Sequence, residues 1–159
     1  MDALADAIAA LQASPFGAWA RGSAYAYPAA NLMHLLGLVL LVGGIGLLDL
    51  RLAGAFRSLP VAPLSRALTP LAVAGLALVI PSGLTMFAAD ATPLAGSTLF
   101  RWKLALIVLA LANAVAFRLR WGRDIDRNGA VPPAARILAS VSLALWLAVA
   151  ALGRLIAYA

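Results

Sequence analysis

Four apolar stretches of about twenty residues or more, parted by short polar segments, dominate the hydropathy pattern of this chain. Runs of that length can cross a bilayer core of about 30 Å. They predict spans at about 28–52, 63–88, 98–121 and 133–158. The fold class that follows is all-α: a polytopic membrane protein built as a four-transmembrane-helix bundle. Pro28 opens the first span and Pro132-Pro133 the fourth, since proline suits the first turn of a helix. Pro70 and the Pro81-Ser82-Gly83 triplet interrupt the hydrogen-bond ladder of the second, which predicts a kink near Pro81. Gly37, Gly43, Gly44 and Gly46 line the first span, and small residues let membrane helices approach closely.

Ahead of the spans, residues 2–13 set Leu4, Ile8 and Leu11 on one helical face. This segment is too short to span, and it lacks the basic leader of a secretory signal. Ser14-Pro15 is expected to end it. Phe16, Trp19, Tyr25 and Tyr27 follow, the amphipathic aromatics that favour headgroup level. Residues 1–27 therefore read as a short N-terminal interfacial amphipathic helix with an aromatic reentry loop, and 28–159 as the bundle.

Composition narrows the class further. Apolar residues make up 64% of the 159, charged residues only 11%, so little chain remains for a soluble domain. With no cysteine, disulfides and thiolate chemistry are excluded. The net charge of +6 does not point to nucleic acid, because the arginines cluster at span ends. Arg51, Arg57 and Arg66 flank the first connection, and Arg118, Arg120, Arg123, Arg127 and Arg136 the third. The other side carries Arg21, Arg101, Lys103 and Arg154. The positive-inside rule then puts the arginine-rich loops in the cytoplasm and both termini on the periplasmic side of a bacterial inner membrane. A faint repeat also emerges. Pro63-Leu-Ser-Arg-Ala-Leu resembles Pro133-Ala-Ala-Arg-Ile-Leu, and at the same offset Gly83 falls opposite Gly153. Two hairpins related by an axis along the membrane normal would produce it.

Depth, at about 1.5 Å per helical residue, picks out candidate chemistry. His34, the sole histidine, lies about a turn and a half inside the first span. Lys103 and Arg154 lie at similar depth on the third and fourth, with Thr85 and Met86 closing the second. Asn31 sits one turn above His34 on the same face. An ionisable group in hydrocarbon needs a partner, and this layer holds cations with Asp90 as its nearest carboxylate. A quinone would find donors in His34 with Lys103 or Arg154. A b-type haem would take His34 as axial ligand, with Met86 or a second copy's His34 opposite and the two cations on its propionates. A lipid phosphate needs only the cations. Equally, Lys103 and Arg154 can snorkel to the interface while His34 bonds a backbone carbonyl. As a metal ligand His34 serves only haem or copper. Copper fits poorly, because Met33 and His34 are consecutive and point about 100° apart.

At the arginine-rich end, Asp49-Leu-Arg51 closes the first span with Arg66 and Arg118 near. The expectation is that Asp49 pairs with one of these arginines and fixes helix ends. Asn113 is expected to act as interhelical glue. No His-x-x-His, His-Glu-x-x-His, Gly-x-Ser-x-Gly or phosphate-loop signature is present, so the reading leans away from an enzyme.

The chain also resembles a group of small bacterial four-span inner-membrane proteins classed as the domain of unknown function DUF6644. The likeness rests on Ser23-Ala-Tyr-Ala-Tyr27-Pro28, His34-Leu-Leu-Gly37, Asp49-Leu-Arg51-Leu-Ala-Gly54, Met86-Phe-Ala-Ala-Asp90, Phe100-Arg-Trp-Lys103 with Asn113, and Gly153-Arg154-Leu-Ile-Ala-Tyr158. It implies architecture, not activity. In plan the chain is distantly similar to copper-resistance D-type membrane proteins, without their several histidines. The functional expectation is a non-catalytic ligand-binding or accessory protein holding haem or quinone in the outer leaflet. The alternatives are a structural subunit, packed in a larger membrane complex or a homo-oligomer, and a small transporter or channel.

Overall fold

The computed structural model describes residues 2–158. Helix α1 (Asp2–Ala13) and α2 (Pro15–Gly22) precede α3 (Ala26–Ala53) and α4 (Val61–Ala89). A short α5 (Ala91–Gly96) then leads to α6 (Thr98–Phe117), a π-helical turn at Arg118–Gly122 and α7 (Arg123–Asn128). Helix α8 (Pro133–Leu155) closes the bundle, with a 3₁₀ turn at Ile156–Tyr158. Four segments are long and apolar enough to cross a membrane: Ala26–Ala53, Val61–Ala89, Thr98–Asn128 and Pro133–Tyr158. The bundle's outer surface is accordingly apolar, with Val39, Val73, Val108 and Ile137 all exposed.

The N-terminal segment departs from expectation. Ser14-Pro15 does not merely end α1; it starts α2. Ser14 Oγ accepts from the Gly17 amide at 3.1 Å, and Pro15 takes the first helical position, where no N–H is needed. Phe16 and Trp19 thus sit on a helix, stacked with centroids 5.9 Å apart. Helix α2 docks on the end of α4: Arg21 donates to the Ala89 carbonyl at 2.8 Å, and Gln12 of α1 accepts from the Thr92 amide at 2.7 Å. Gly17 is needed there, because a Cβ would lie 2.9 Å from the Ala88 carbonyl oxygen.

Helices α3 and α4 form the tightest pair. A Cβ on Gly75 would come within 2.5 Å of the Leu41 nitrogen and 2.6 Å of the Gly37 oxygen. Gly44 faces the Leu68 carbonyl and Gly46 faces Leu143 of α8, whereas Gly43 meets no neighbour within 4 Å. Three of the four glycines named from sequence therefore line contacts, and Gly75 on the partner helix completes the closest one. Helix α4 runs unbroken through Pro70 and Pro81. Helix α3 also packs on α8 and α8 on α6, while α4 and α6 meet chiefly through long side chains, Phe87 stacking on Phe100 at 5.3 Å.

Two apolar clusters fill the interior. Leu41, Ala72, Ala110 and Trp146 form the middle one, and Leu48, Leu52, Val61, Ile125 and Ala139 the one nearer the arginine-rich loops. Ile125 belongs to α7, beyond the expected end of the third span. A π turn leads into α7, and α7 packs against α4. There Asp126 accepts from Ser65 at 2.7 Å and pairs with Arg118 at 3.4 Å.

Candidate functional site at the terminal end of the bundle

His34 extends from α3 toward α4 at the end of the bundle that carries both termini. Its ring rests on Gly83, where a Cβ would lie 3.1 Å from Cε1. Its Nδ1 is 3.1 Å from the Ser82 hydroxyl. Ser82 Oγ lies 2.5 Å from the Leu78 carbonyl one turn back and 3.2 Å from that of Val79. A hydroxyl has one hydrogen, and the close Leu78 contact claims it. Ser82 therefore accepts from the ring, and Nδ1 carries the proton. In neutral imidazole this leaves Nε2 as a bare acceptor. Ser82 is buried and His34 half-buried, so packing as well as hydrogen bonding holds the ring.

Lys103 projects from α6 at the same end of the bundle. Its ammonium lies over Gly153 of α8, with Nζ 3.5 Å from where a Cβ would stand. His34 with Gly83 and Lys103 with Gly153 thus recur across the two hairpins, giving the sequence repeat a structural meaning. Both glycines serve as platforms for a polar side chain of the preceding helix.

The other members of the predicted layer do not assemble. Arg154 turns along its own helix, hydrogen-bonding the Tyr158 hydroxyl with its guanidinium 4.6 Å from the ring centroid. Asn31 is exposed and makes no side-chain hydrogen bond among the described residues. Met86 is half-buried, one turn beyond Ser82 and Gly83 on α4. Depth alone grouped these residues; their direction around each helix separates them. Ser82 was readable only as part of a helix-interrupting triplet, although a hydroxyl beside an intramembrane histidine is its natural partner.

The His34 tautomer would suit iron, since Nδ1–H to an oxygen acceptor is the usual way to orient a ligating imidazole. Of the two cations expected on haem propionates, Arg154 is engaged with Tyr158 and Lys103 lies over Gly153. No cluster of three or more His, Cys, Asp or Glu side chains able to hold a metal occurs among the described residues.

At the arginine-rich end, the expected Asp49 ion pair is absent among the described residues. Arg51 instead donates from Nε to the Leu59 carbonyl at 2.6 Å and from Nη2 to that of Arg57 at 3.3 Å, holding the loop after α3. Arg118 is taken by Asp126, and Arg66 is exposed. Asp49 is 5% exposed and faces the buried Ser142 of α8, with Oδ2 unpartnered. Trp146, one turn further along α8, leaves its buried Nε1 unpartnered as well. Backbone geometry explains the missed pairing: Arg51 is two residues from Asp49 and so projects from a different side of α3. Asn113 does act between helices, donating to the Leu138 carbonyl of α8 at 3.2 Å.

No family model matches the chain, and neither a curated protein nor a solved structure matches it.

Proposed function

We propose that this chain is a small bacterial inner-membrane protein that binds a lipid-soluble quinol or quinone between His34 and Lys103, without itself being an enzyme. The observation that carries the reading is the Nδ1–Ser82 hydrogen bond, with the Ser82 proton committed to Leu78. It leaves Nε2 to accept from a ligand hydroxyl, while the Lys103 ammonium supplies a donor to a second ring oxygen. The positive-inside distribution of arginines supports a site in the periplasmic leaflet, with both termini periplasmic. The likeness to the DUF6644 group fits this architecture and location.

The test is a titration of purified protein in detergent with a short-chain quinol, read by quenching of tryptophan fluorescence. Saturable binding is expected, weakened about tenfold by His34→Ala, in keeping with the loss of one well-placed hydrogen bond. Absence of saturable binding, together with no quinone in an organic extract of the membrane-purified protein, would overturn the reading. A Soret band on the pure protein would replace it with haem.

A further inference from the structure

The arginine-rich end of the bundle contains a cavity of about 290 Å³ that the proposed quinol site does not use. Three arginines line it: Arg51 from the last turn of α3, Arg57 from the following loop and Arg136 from the first turns of α8. Leu52, Val61 and Val131 form its apolar walls. No carboxylate lines it, and the one salt bridge among the described residues joins Arg118 to Asp126 instead. Arg51 and Arg57 spend part of their donor capacity on loop carbonyls: Arg57 Nε reaches the Gly54 oxygen at 3.2 Å. Arg136 makes no side-chain hydrogen bond within the described chain. Three cations around one hollow repel each other unless an anion completes them.

The backbone adds to the same field. Val61 is the first residue of α4, and Arg136 stands in the opening turns of α8. Neither helix has a side-chain cap; each is preceded only by a proline, Pro60 or Pro132. Gly129, left-handed at φ +66°, also lines the cavity, and a Cβ placed on it would lie 3.9 Å from the Ala62 nitrogen in the first turn of α4. Uncapped N–H groups and the positive ends of both helices reinforce the arginines. These are the two helix starts that the sequence repeat relates, at Pro63 and Pro133.

We infer that this cavity binds a phosphate group, held by Arg51, Arg57 and Arg136. Guanidinium forks match phosphate oxygens, and such contacts are stronger than neutral hydrogen bonds. The site lies where α3 ends and α4 and α8 begin, so its level on the bundle is that of a lipid headgroup. A phospholipid phosphate and a free phosphate share this chemistry, and the experiment separates them.

Purified protein in a neutral detergent is titrated with phosphatidylglycerol and, separately, with inorganic phosphate, and bound adducts are counted by native mass spectrometry. One saturable adduct per chain is expected. Arg136→Gln should weaken it about tenfold, whereas Arg101→Gln, at the opposite end, should leave it unchanged. Because the Arg136 guanidinium makes no hydrogen bond among the described residues and the residue's backbone bonds survive substitution, its replacement leaves the fold intact. Arg136→Lys, which keeps the charge but loses the fork, should lie between the two. A lipid adduct that inorganic phosphate fails to displace identifies a headgroup site; an adduct with phosphate alone identifies a soluble ligand. Equal adduct formation by wild type and Arg136→Gln, or no saturable adduct with either probe, overturns the inference.

Discussion

Gly83 and Gly153 hold equivalent places in the two hairpins, one beneath the imidazole of His34 and the other beneath the ammonium of Lys103. The spacing differs in a way that decides what an added methyl does. At Gly83 it would lie 3.1 Å from His34 Cε1, and at Gly153 3.5 Å from Lys103 Nζ. The first distance is a tight contact and the second an ordinary one.

Alanine replacements should therefore separate the two sites. Replacing a mid-helix glycine by alanine stabilises a helix by about 0.5–1 kcal/mol. Gly153→Ala should realise that gain, since nothing has to move. Gly83→Ala should lose it, because displacing the ring strains a hydrogen bond worth about 1 kcal/mol to Ser82. Thermal unfolding in detergent should show a raised midpoint for Gly153→Ala and none for Gly83→Ala. Quinol affinity should fall only in Gly83→Ala.

The α3–α4 contact has no room to give. A methyl on Gly75 would approach the Leu41 nitrogen at 2.5 Å and the Gly37 oxygen at 2.6 Å. Both are backbone atoms, so the helices must separate. Gly75→Ala should cost about 1–3 kcal/mol, the usual range for overpacking, despite its gain in helix propensity. Gly43→Ala meets no neighbour within 4 Å and should be neutral or stabilising. Denaturation midpoints in mixed detergent micelles measure the difference, and equal midpoints would mean that α3 and α4 do not pack through these glycines.

Asp49 raises the question of sign. It is buried, and its Oδ2 has no partner among the described residues. Breaking a buried ion pair costs about 3–5 kcal/mol, whereas removing an unpaired buried charge costs little or stabilises. Asp49→Asn should thus leave the unfolding midpoint unchanged or raise it. A loss as large as that of a broken ion pair would show that a cation reaches the carboxyl after all.

The spans were legible because lipid leaves the backbone few choices, so length and hydropathy suffice to place them. The site was legible only in depth. A fixed rise per residue puts His34, Lys103 and Arg154 in one layer, but azimuth and side-chain length decide that Lys103 lies over Gly153 and Arg154 turns to Tyr158. Ser14-Pro15 was read as a stop when it is also a start: a serine cap followed by proline opens α2. Asp126 lay beyond the expected end of the third span, in α7 after the π turn, where it meets Ser65. Such a bulge leaves no periodicity signal in an apolar helix.

That last interaction can be tested directly. Ser65 is 1% exposed and donates to Asp126 at 2.7 Å, while Arg118 approaches the same serine at 3.4 Å and the carboxylate at 3.4 Å. The three residues come from α4, α7 and the π turn, and they tie α7 to the bundle. Ser65→Ala removes the donor and leaves the carboxylate to Arg118 alone. The cost should be about 1–3 kcal/mol, in the range for a hydrogen bond to a charged group. It should fall locally, because Ile125 is the only fully buried side chain of α7. Hydrogen exchange should therefore quicken across residues 118–128 while α3 and α8 stay protected. Unchanged exchange in 118–128 would mean that Ile125, not the polar triad, anchors the segment.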